Sequence, residues 1–282
     1  MATTEEVTTS DYQRAVANYW NSNTNDPVNL VLGQVDDIYH HHYGLGDPDP
    51  TIVDAEGVTE EAIIKELHRL ETAQANVLLD SLGPLGPGDR ILDGGCGRGG
   101  TSIMANARFG CSVEGVTISE YQANFAQEQA EIRGVSDKVH FHLRNMLHTG
   151  YPDGHFQAIW NNETTMYVDV FELYREWSRM LPVGGRYVCI TGCYNDALGE
   201  KSESVRTIDR HYIVDCHARS TYFKALSDNR LAPVSVVDLT PLTIPYWELR
   251  ERAEVATGIE EAFLSGYRDG TFQYLMIVAD RV

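Results

Sequence analysis

Short apolar runs alternate with longer amphipathic segments from about residue 87 to the end of the chain. Strands are predicted at Arg90–Asp93, Ser112–Val116, Val139–Leu143, Phe156–Asn161, Gly185–Gly192, Ser235–Asp238 and Gln273–Asp280. Helices are predicted at Gly99–Phe109, Ser119–Gly134, Val168–Leu181 and Ser220–Asn229, with another around Trp247–Tyr267. Seven strands in this alternation predict an α/β fold with a doubly wound, Rossmann-like sheet that binds ligands at the carboxyl ends of its strands.

The first part of the chain does not follow this alternation. A short amphipathic helix is predicted at Tyr12–Trp20 and a long helix at Thr59–Leu82. We expect residues 1–60 to form a helical N-terminal cap segment and residues 61–282 to form the core. The stretch 194–219, inserted after the fifth strand, is expected to cover the site together with the N-terminal segment.

Composition narrows the class of protein. The 282 residues carry a formal net charge of −19, which disfavours nucleic acid and anionic membrane surfaces as partners. An acidic, polar start and the lack of a long apolar run predict a cytoplasmic protein without a signal peptide. The five cysteines have no Cys-x-x-Cys spacing, so we expect reduced thiols and neither a disulfide framework nor a zinc site.

A glycine-rich loop follows the first predicted strand, with the pattern Asp93-x-Gly95-x-Gly97-x-Gly99. Such a loop brings backbone N–H groups against a ligand. A dinucleotide site would place an acid at the end of the second strand, where this chain has Thr117, and an acid at the loop would repel phosphate oxygens. The pattern resembles motif I of the class I S-adenosylmethionine (SAM) methyltransferases. A ligand-free turn and an NAD site are the alternatives.

The remaining cofactor contacts are predicted at the ends of the next strands. The spacing Thr117-Ile118-x-x-x-Gln122 resembles the cyclopropane-forming and sterol methyltransferases, in which the Gln reaches the ribose hydroxyls. Asn145 and Met146 are expected at the adenine, and Asn161 at the amino-acid end. The predicted SAM-binding residues are therefore Asp93, Gly95, Gly97, Thr117, Ile118, Gln122, Asn145, Met146 and Asn161.

The acceptor side is predicted from one acid and many aromatic residues. Glu163 follows the fourth strand, where the methyl group would be delivered. The aromatic residues of the predicted caps are Tyr19, Trp20, Tyr39, Tyr43, Tyr194, Tyr212, Tyr222, Phe223, Tyr246 and Trp247. A carboxylate among aromatic faces suits a developing cation. The alternatives are ordinary packing for the rings and a solvated helix start for Glu163.

Several longer segments carry a more specific resemblance. They are Tyr39–Gly46, Glu66–Glu71, Trp160–Glu163, Ile190–Cys193, Leu239–Pro241, Pro245–Arg250 and Tyr267–Gly270. They resemble the geranyl diphosphate 2-C-methyltransferase family of prenyl diphosphate C-methyltransferases. The resemblance implies SAM-dependent methylation of an alkene carbon in terpenoid biosynthesis, with Mg²⁺ assisting the diphosphate, in a homo-oligomer. By resemblance, Glu163 stabilises the resulting carbocation and accepts or relays a proton, flanked by Tyr43 and Tyr212.

An acidic protein must neutralise a bound diphosphate locally. His41, His42, Arg219 and Arg268 are candidates for this role, with ordinary loop hydrogen-bond donors as the alternative, and Tyr246 is also expected to bind the acceptor. Mg²⁺ is expected to be held through the diphosphate and water, and no protein ligand is predicted for it.

One position departs from the family pattern. The geranyl enzymes carry Phe where this chain has Tyr212, and the added hydroxyl narrows the predicted cavity. This makes isopentenyl diphosphate an alternative to geranyl diphosphate as the acceptor. More distant alternatives are an O- or N-methyltransferase of small molecules and a SAM-binding regulatory protein without catalysis.

Overall fold

The computed structural model describes residues 3–22, 27–53 and 57–282. Its centre is a seven-stranded sheet in the order β3-β2-β1-β4-β5-β7-β6, in which β7 runs antiparallel to β5 and β6. The strands are β1 (Arg90–Gly94), β2 (Ser112–Thr117), β3 (Val139–Leu143), β4 (Ala158–Asn162), β5 (Arg186–Tyr194), β6 (Leu231–Asp238) and β7 (Phe272–Arg281). The predicted α/β class and all seven predicted strands are confirmed.

The strand order reverses direction at β1, which pairs with β2 on one side and with β4 on the other. In a doubly wound sheet, such a switch point opens a crevice at the carboxyl ends of the strands. Strands β1 and β4 are largely buried, and their side chains alternate between the two faces of the sheet. In β4, Ile159 packs into the hydrophobic cluster on one face and Trp160 into the cluster on the other.

Twelve α-helices lie in the described part of the chain. They are α1 (Thr4–Val7), α2 (Asp11–Asn21), α3 (Pro27–Gly33), α4 (Pro50–Val53), α5 (Glu60–Ser81), α6 (Gly100–Phe109), α7 (Glu120–Ile132), α8 (Val170–Met180), α9 (Glu203–Tyr212), α10 (Arg219–Asp228), α11 (Thr240–Glu251) and α12 (Glu260–Arg268). None of the described helices is long and apolar enough to cross a membrane. All five cysteines are buried and unpaired.

The N-terminal helices begin where polar caps satisfy their first backbone N–H groups. The side chain of Ser10 accepts a hydrogen bond from Gln13 N at the start of α2, and Thr59 accepts one from Ala62 N at the start of α5. Both helices match the predicted segments closely. Residues 23–26, which follow α2, lie outside the described residues.

The single helix predicted around Trp247–Tyr267 is wrong, because the structure has the two helices α11 and α12 in this region. The chain turns between them at Gly258, whose φ is +83°. The carboxylate of Glu260 accepts hydrogen bonds from Thr257 N and Gly258 N, at 3.1 and 2.7 Å, and so satisfies amides at the start of the second helix.

Candidate active site

Two adjoining cavities lie at the carboxyl ends of the central strands. The glycine-loop cavity is bordered by Gly95, Gly97, Thr117, Ile118, Gln122, Asn145 and Met146, all of which were predicted to contact a cofactor. The aromatic cavity is bordered by Tyr43, Tyr212, His42, Arg250 and Phe263, among others. Glu163, His41, Trp20 and Tyr167 border both cavities. About 740 Å³ in and around each cavity, open solvent included, is free of protein atoms.

The glycine loop has a backbone that residues with a side chain rarely adopt. Gly95 and Gly99 have φ values of +87° and +84°. A Cβ added at Gly95 would lie 2.4 Å from Cγ2 of Thr164, and one at Gly99 would lie 2.4 Å from Cζ of Phe141. Glycine is therefore required for both conformation and space. The loop lets a ligand approach the backbone directly.

Helix α2 forms a wall of the glycine-loop cavity. Gln13, Val16 and Trp20 border the cavity from this helix. The Asn145 side chain donates hydrogen bonds to Gln13 Oε1 at 3.0 Å and to the Val7 carbonyl at 3.1 Å, which fastens the N-terminal segment over the strand ends.

Asp93 and Asn161 do not border the glycine-loop cavity as predicted. Asp93 borders a smaller chamber beneath the loop, where its carboxyl accepts a hydrogen bond from Ser102 Oγ at 2.7 Å. Burial raises the pKa of Asp93 to about 7, although the Ser102 hydrogen bond acts in the opposite direction.

Asn161 lies in the core below the glycine loop. It accepts hydrogen bonds from Trp177 Nε1 at 2.6 Å and Tyr187 OH at 2.9 Å, and it donates one to the Gly94 carbonyl at 2.6 Å. Its neighbour Asn162 borders the cavity instead. Successive side chains of a strand point to opposite faces, so the prediction was displaced by one residue.

Glu163 has an unusual backbone and a buried carboxyl group. Its φ is +56°, a left-handed conformation that costs a residue with a side chain about 1–2 kcal/mol. Its N–H donates a hydrogen bond to the Ile190 carbonyl at 2.9 Å, which holds the turn in place. Its Oε1 atom has no hydrogen-bond partner among the described residues. Burial raises the pKa of Glu163 to about 8, and the nearby Tyr274 hydroxyl offsets only part of that rise.

Aromatic rings surround the second cavity. The ring of Tyr43 lies 4.6 Å from that of Trp247 and 5.1 Å from that of Phe263, between centroids. The ring of Tyr212 lies 6.3 Å from Phe263. Burial raises the pKa of Tyr43 well above its ordinary value, so its phenol stays neutral. The cavity therefore presents neutral π faces and phenol oxygens beside one titratable carboxyl group.

His41 and His42 border the cavities as neutral rings. Burial lowers the pKa of both, and the pKa of His42 falls to about 4. Arg98 Nη1 lies 2.7 Å from His41 Nε2. Because a guanidinium can only donate, His41 Nε2 accepts this hydrogen bond and the ring proton lies on Nδ1.

Arg250 is a site residue that the sequence reasoning missed. It is 5 % exposed and borders the aromatic cavity. Its Nε lies 3.1 Å from Glu260 Oε1, and its guanidinium lies 5.0 Å from the ring centroid of Trp247. Burial lowers the pKa of Arg250, but Tyr246, Tyr212 and Glu260 outweigh that effect and raise it, so the side chain is a permanent buried cation.

Three residues predicted to bind the acceptor border neither cavity. Arg219 borders a separate surface groove and donates a hydrogen bond to Gln273 at 3.3 Å. Arg268 forms a half-exposed ion pair with Glu248 at 2.6 Å. The Tyr246 hydroxyl is buried in the core and donates to Glu71 at 2.8 Å. The structure therefore does not bring these three side chains together with the other predicted site residues.

The arrangement favours transfer chemistry between two bound molecules. Within the described ranges, no group of three or more His, Cys, Asp or Glu side chains could hold a metal ion. One cavity has a glycine loop with polar amide and hydroxyl groups, and the other has aromatic faces with a buried cation. The carboxyl of Glu163 lies at the boundary, where it can stabilise positive charge or accept a proton.

Comparison with known sequences gives consistent matches. Residues 92–189 match a family described as a methyltransferase domain. Over 274 residues, the chain is 58% identical to geranyl diphosphate 2-C-methyltransferase of Saccharopolyspora erythraea, covering 97% of this chain and 96% of that protein. It is 53% identical to the Streptomyces lasalocidi protein of the same description, covering 96% of this chain and 91% of that protein.

Solved structures give the same result. A geranyl diphosphate methyltransferase in complex with geranyl diphosphate and sinefungin superposes with a TM-score of 0.95 at 53% identity, covering 97% of this chain and all of that one. The Streptomyces coelicolor geranyl diphosphate C-methyltransferase also superposes with a TM-score of 0.95, at 51% identity, covering 97% of this chain and 99% of that one. That structure contains Mg²⁺, geranyl-S-thiolodiphosphate and S-adenosyl-L-homocysteine.

Proposed function

This chain belongs to the geranyl diphosphate 2-C-methyltransferase family, and from that premise we propose that it methylates C2 of geranyl diphosphate with SAM. The observation that carries the proposal is the buried carboxyl of Glu163, which borders both the glycine-loop cavity and the aromatic cavity. An acid at that boundary can act on an acceptor in one cavity that reacts with a cofactor in the other. The chemistry is a C-methylation in terpenoid biosynthesis.

The residues of the glycine-loop cavity fit SAM. Gly95 and Gly97 allow backbone contact with the ligand, and the amide of Gln122 can bind ribose hydroxyls. Gln122 accepts a hydrogen bond from Thr117 Oγ1 at 3.0 Å, which fixes the orientation of the amide. Bound SAM supplies an electrophilic methyl group on a cationic sulfur.

The residues of the aromatic cavity fit a Mg²⁺-bound prenyl diphosphate. Arg250 provides a buried positive charge, and His42 provides a neutral ring at the same cavity. Mg²⁺ commonly binds through substrate phosphates and water with few protein ligands. That mode suits a site in which the described residues form no ready-made metal cage. The apolar rings would then bind the prenyl chain.

The proposed roles follow from where charge develops. Methyl transfer would form a C–C bond to the alkene carbon as the methyl–sulfur bond of SAM breaks and S-adenosylhomocysteine leaves. A tertiary carbocation would then stand on the neighbouring carbon, and loss of one proton restores the double bond. The ionised carboxylate of Glu163 stabilises this cation and accepts the proton. The π faces of Tyr43 and Tyr212 stabilise the same positive charge and exclude water, which would otherwise capture it.

The proposal is tested by product analysis. The protein is incubated with methyl-labelled SAM, Mg²⁺ and separate isopentenyl, geranyl and farnesyl diphosphates, and the products are identified by mass spectrometry. The expected main product is 2-methylgeranyl diphosphate. Label on an oxygen or nitrogen atom, or no transfer to any of the three, would contradict the proposal.

A second acceptor, isopentenyl diphosphate, is favoured by one observation. The half-buried Tyr212 borders the aromatic cavity, and its hydroxyl takes space that a phenylalanine would leave open. A shorter cavity favours a shorter chain. The same panel of acceptors distinguishes the two, because each product has its own mass.

A further inference from the structure

Tyr274 is a buried residue of strand β7 that borders neither of the two cavities. Its backbone is held on both sides, because its N–H donates a hydrogen bond to Thr240 Oγ1 at 2.9 Å and its carbonyl accepts one from Leu239 N at 2.7 Å. Its ring centroid lies 6.0 Å from that of Tyr43, which borders the aromatic cavity. The side chain is therefore held in a fixed position behind the wall of this cavity.

The hydrogen bonds of Gln74 determine whether the Tyr274 hydroxyl can donate. An amide NH₂ group has two protons. Gln74 Nε2 lies 2.7 Å from Asn162 Oδ1 and 3.0 Å from the Tyr274 hydroxyl, so each of these oxygen atoms receives one proton. In return, Asn162 Nδ2 donates to Gln74 Oε1 at 3.0 Å. The Tyr274 oxygen therefore accepts from Gln74, and its own proton is available for another acceptor.

That acceptor is the carboxyl group of Glu163. Glu163 directly follows Asn162 at the end of strand β4, so the hydrogen bonds of Gln74 bring the Tyr274 hydroxyl next to the acid. Burial raises the pKa of Glu163, and a hydrogen bond from the Tyr274 hydroxyl acts in the opposite direction. The Oε1 atom of Glu163 has no hydrogen-bond partner among the described residues. One carboxyl oxygen is therefore not engaged by them.

The other titratable groups that face Glu163 carry no charge at neutral pH. They are the phenols and thiols of Tyr43, Tyr267, Cys189 and Cys216. Burial raises the pKa of all four, so they stay protonated. Burial lowers the pKa of His41 and His42, which border the cavities as neutral rings. Arg250, the cation of the aromatic cavity, is paired with Glu260. The Tyr274 hydroxyl is therefore the neighbour placed to favour the ionised carboxylate.

We propose that Tyr274 is a positioning residue that keeps the Glu163 carboxylate ionised and oriented for catalysis. Its phenol, polarised by the Gln74 amide, donates to one carboxylate oxygen and leaves the other free to take the proton from the carbocation. The electron pair of the broken C–H bond forms the new double bond. This inference deepens the proposed function and rests on it. Without such a donor, a desolvated carboxylate stays protonated and cannot act as a base.

The test compares the pH profiles of the full-length protein and of Tyr274→Phe between pH 6 and pH 10, with saturating SAM, Mg²⁺ and geranyl diphosphate. Loss of a hydrogen bond to a charged group should move the acid limb of kcat upward by roughly one to two pH units. At pH 7 the rate should therefore fall by roughly 10–100-fold, and most of this loss should be recovered at pH 10. The dissociation constant for SAM should stay constant, because Tyr274 does not border the glycine-loop cavity.

A second variant keeps the ring and its packing, so it decides the question if Tyr274→Phe does not fold. Replacement of Tyr274 by 3-fluorotyrosine makes the phenol more acidic and hence a stronger donor, so the acid limb should move to lower pH. Tyr187→Phe is the matched control. It removes another buried hydroxyl, which donates to Asn161 Oδ1 at 2.9 Å on the opposite face of the sheet, and its acid limb should stay at the parental pH.

Two kinetic results would overturn the assignment of Tyr274. One is an acid limb that moves in neither Tyr274 variant. The other is a rate lowered by the same factor at every pH, which a purely structural role would give.

Titration of the Glu163 carboxyl gives the same comparison without catalysis. It is followed by ¹³C NMR of glutamate-labelled protein, and the signal is assigned by its loss in Glu163→Gln. An unshifted titration in Tyr274→Phe, beside a parental protein that forms 2-methylgeranyl diphosphate, would overturn only this inference. A parental protein that forms no C-methylated product would instead overturn the proposed function, and the role of Tyr274 with it.

Discussion

The side-chain amides of Gln74 and Asn162 form a reciprocal pair of hydrogen bonds, at 2.7 and 3.0 Å, between helix α5 and the end of strand β4. Gln74 Nε2 also lies within 3.0 Å of the Tyr274 hydroxyl. Asn162 precedes Glu163, and Tyr274 offsets part of the cost of its charge. The pair therefore fixes both the backbone and the hydroxyl on which the Glu163 carboxyl depends.

Replacement of Gln74 should destabilise the protein. Gln74→Leu leaves two buried polar side chains without their partner, and we expect a loss of about 2–4 kcal/mol in the free energy of unfolding. Urea denaturation measures this loss. Gln129→Leu on helix α7 is the control, because it changes the same residue type away from the active site. An unchanged midpoint for Gln74→Leu would show that the pair contributes nothing.

The activity should rise with pH because Glu163 must be ionised to act. With its pKa raised to about 8, kcat/KM for SAM should fall about tenfold for each pH unit below that value. The same limb should appear in kcat, because the carboxylate must also be ionised when both substrates are bound. Steady-state kinetics from pH 6 to pH 9.5 tests this. A flat profile for both parameters would be inconsistent with Glu163 as the base.

The free energy of unfolding should fall as the pH rises, whereas the activity should increase. The pKa of Glu163 is raised in the folded protein, so the folded state holds a proton that the unfolded state loses above its ordinary value of 4.5. Stability from this group is complete below pH 4.5 and is lost as the pH rises to about 8. When the pH is raised from 5 to 8.5, the free energy of unfolding of Glu163→Gln should increase by roughly 2–5 kcal/mol relative to that of the parent. Parallel denaturation curves at the two pH values would refute this.

Arg250 should control binding of the diphosphate. Arg250→Lys should raise KM for geranyl diphosphate by roughly tenfold or more while the dissociation constant for SAM stays constant, because lysine cannot reproduce the fixed fork of donors. Arg268→Lys is the matched control, since Arg268 pairs with Glu248 in the half-exposed ion pair outside the cavity. Equal changes in the two variants would remove Arg250 from the acceptor site.

The hydroxyl of Tyr212 should influence acceptor length. Tyr212→Phe should shift the ratio of kcat/KM values for geranyl over isopentenyl diphosphate upward by roughly tenfold, since a smaller ring substituent lengthens the cavity. Competition between the two acceptors, with products separated by mass, measures the ratio directly. An unchanged ratio would contradict the proposed effect of the Tyr212 hydroxyl on acceptor length.

The sheet could be predicted from the sequence because its buried strands are nearly continuous apolar runs between clear turns. The glycine loop could also be predicted, since only glycine fits at Gly95 and Gly99. Asn161 was misplaced because the side to which a strand residue points changes with every position, and the sequence does not fix that register at the strand end.

Arg250, the buried cation of the aromatic cavity, could not be predicted. The sequence alone does not distinguish an arginine that points into a cavity from one at the surface. Arg250 turns inward because helices α11 and α12 pack together and Glu260 accepts its hydrogen bond. A signal was present, since Arg250 lies three and four residues after Trp247 and Tyr246, on the same helix face. A homo-oligomer stays a prediction, as do the catalytic and binding roles of the individual residues.

The most direct test of the account is a single-turnover experiment with Glu163→Gln at pH 8. The variant should bind SAM with the parental dissociation constant, because the carboxyl lies at the edge of the glycine-loop cavity and not at the glycine loop itself. Formation of 2-methylgeranyl diphosphate should fall by roughly 10²–10⁴-fold. Product formation at the parental rate, with SAM bound equally well, would contradict the central claim that this carboxylate stabilises the cation and removes its proton.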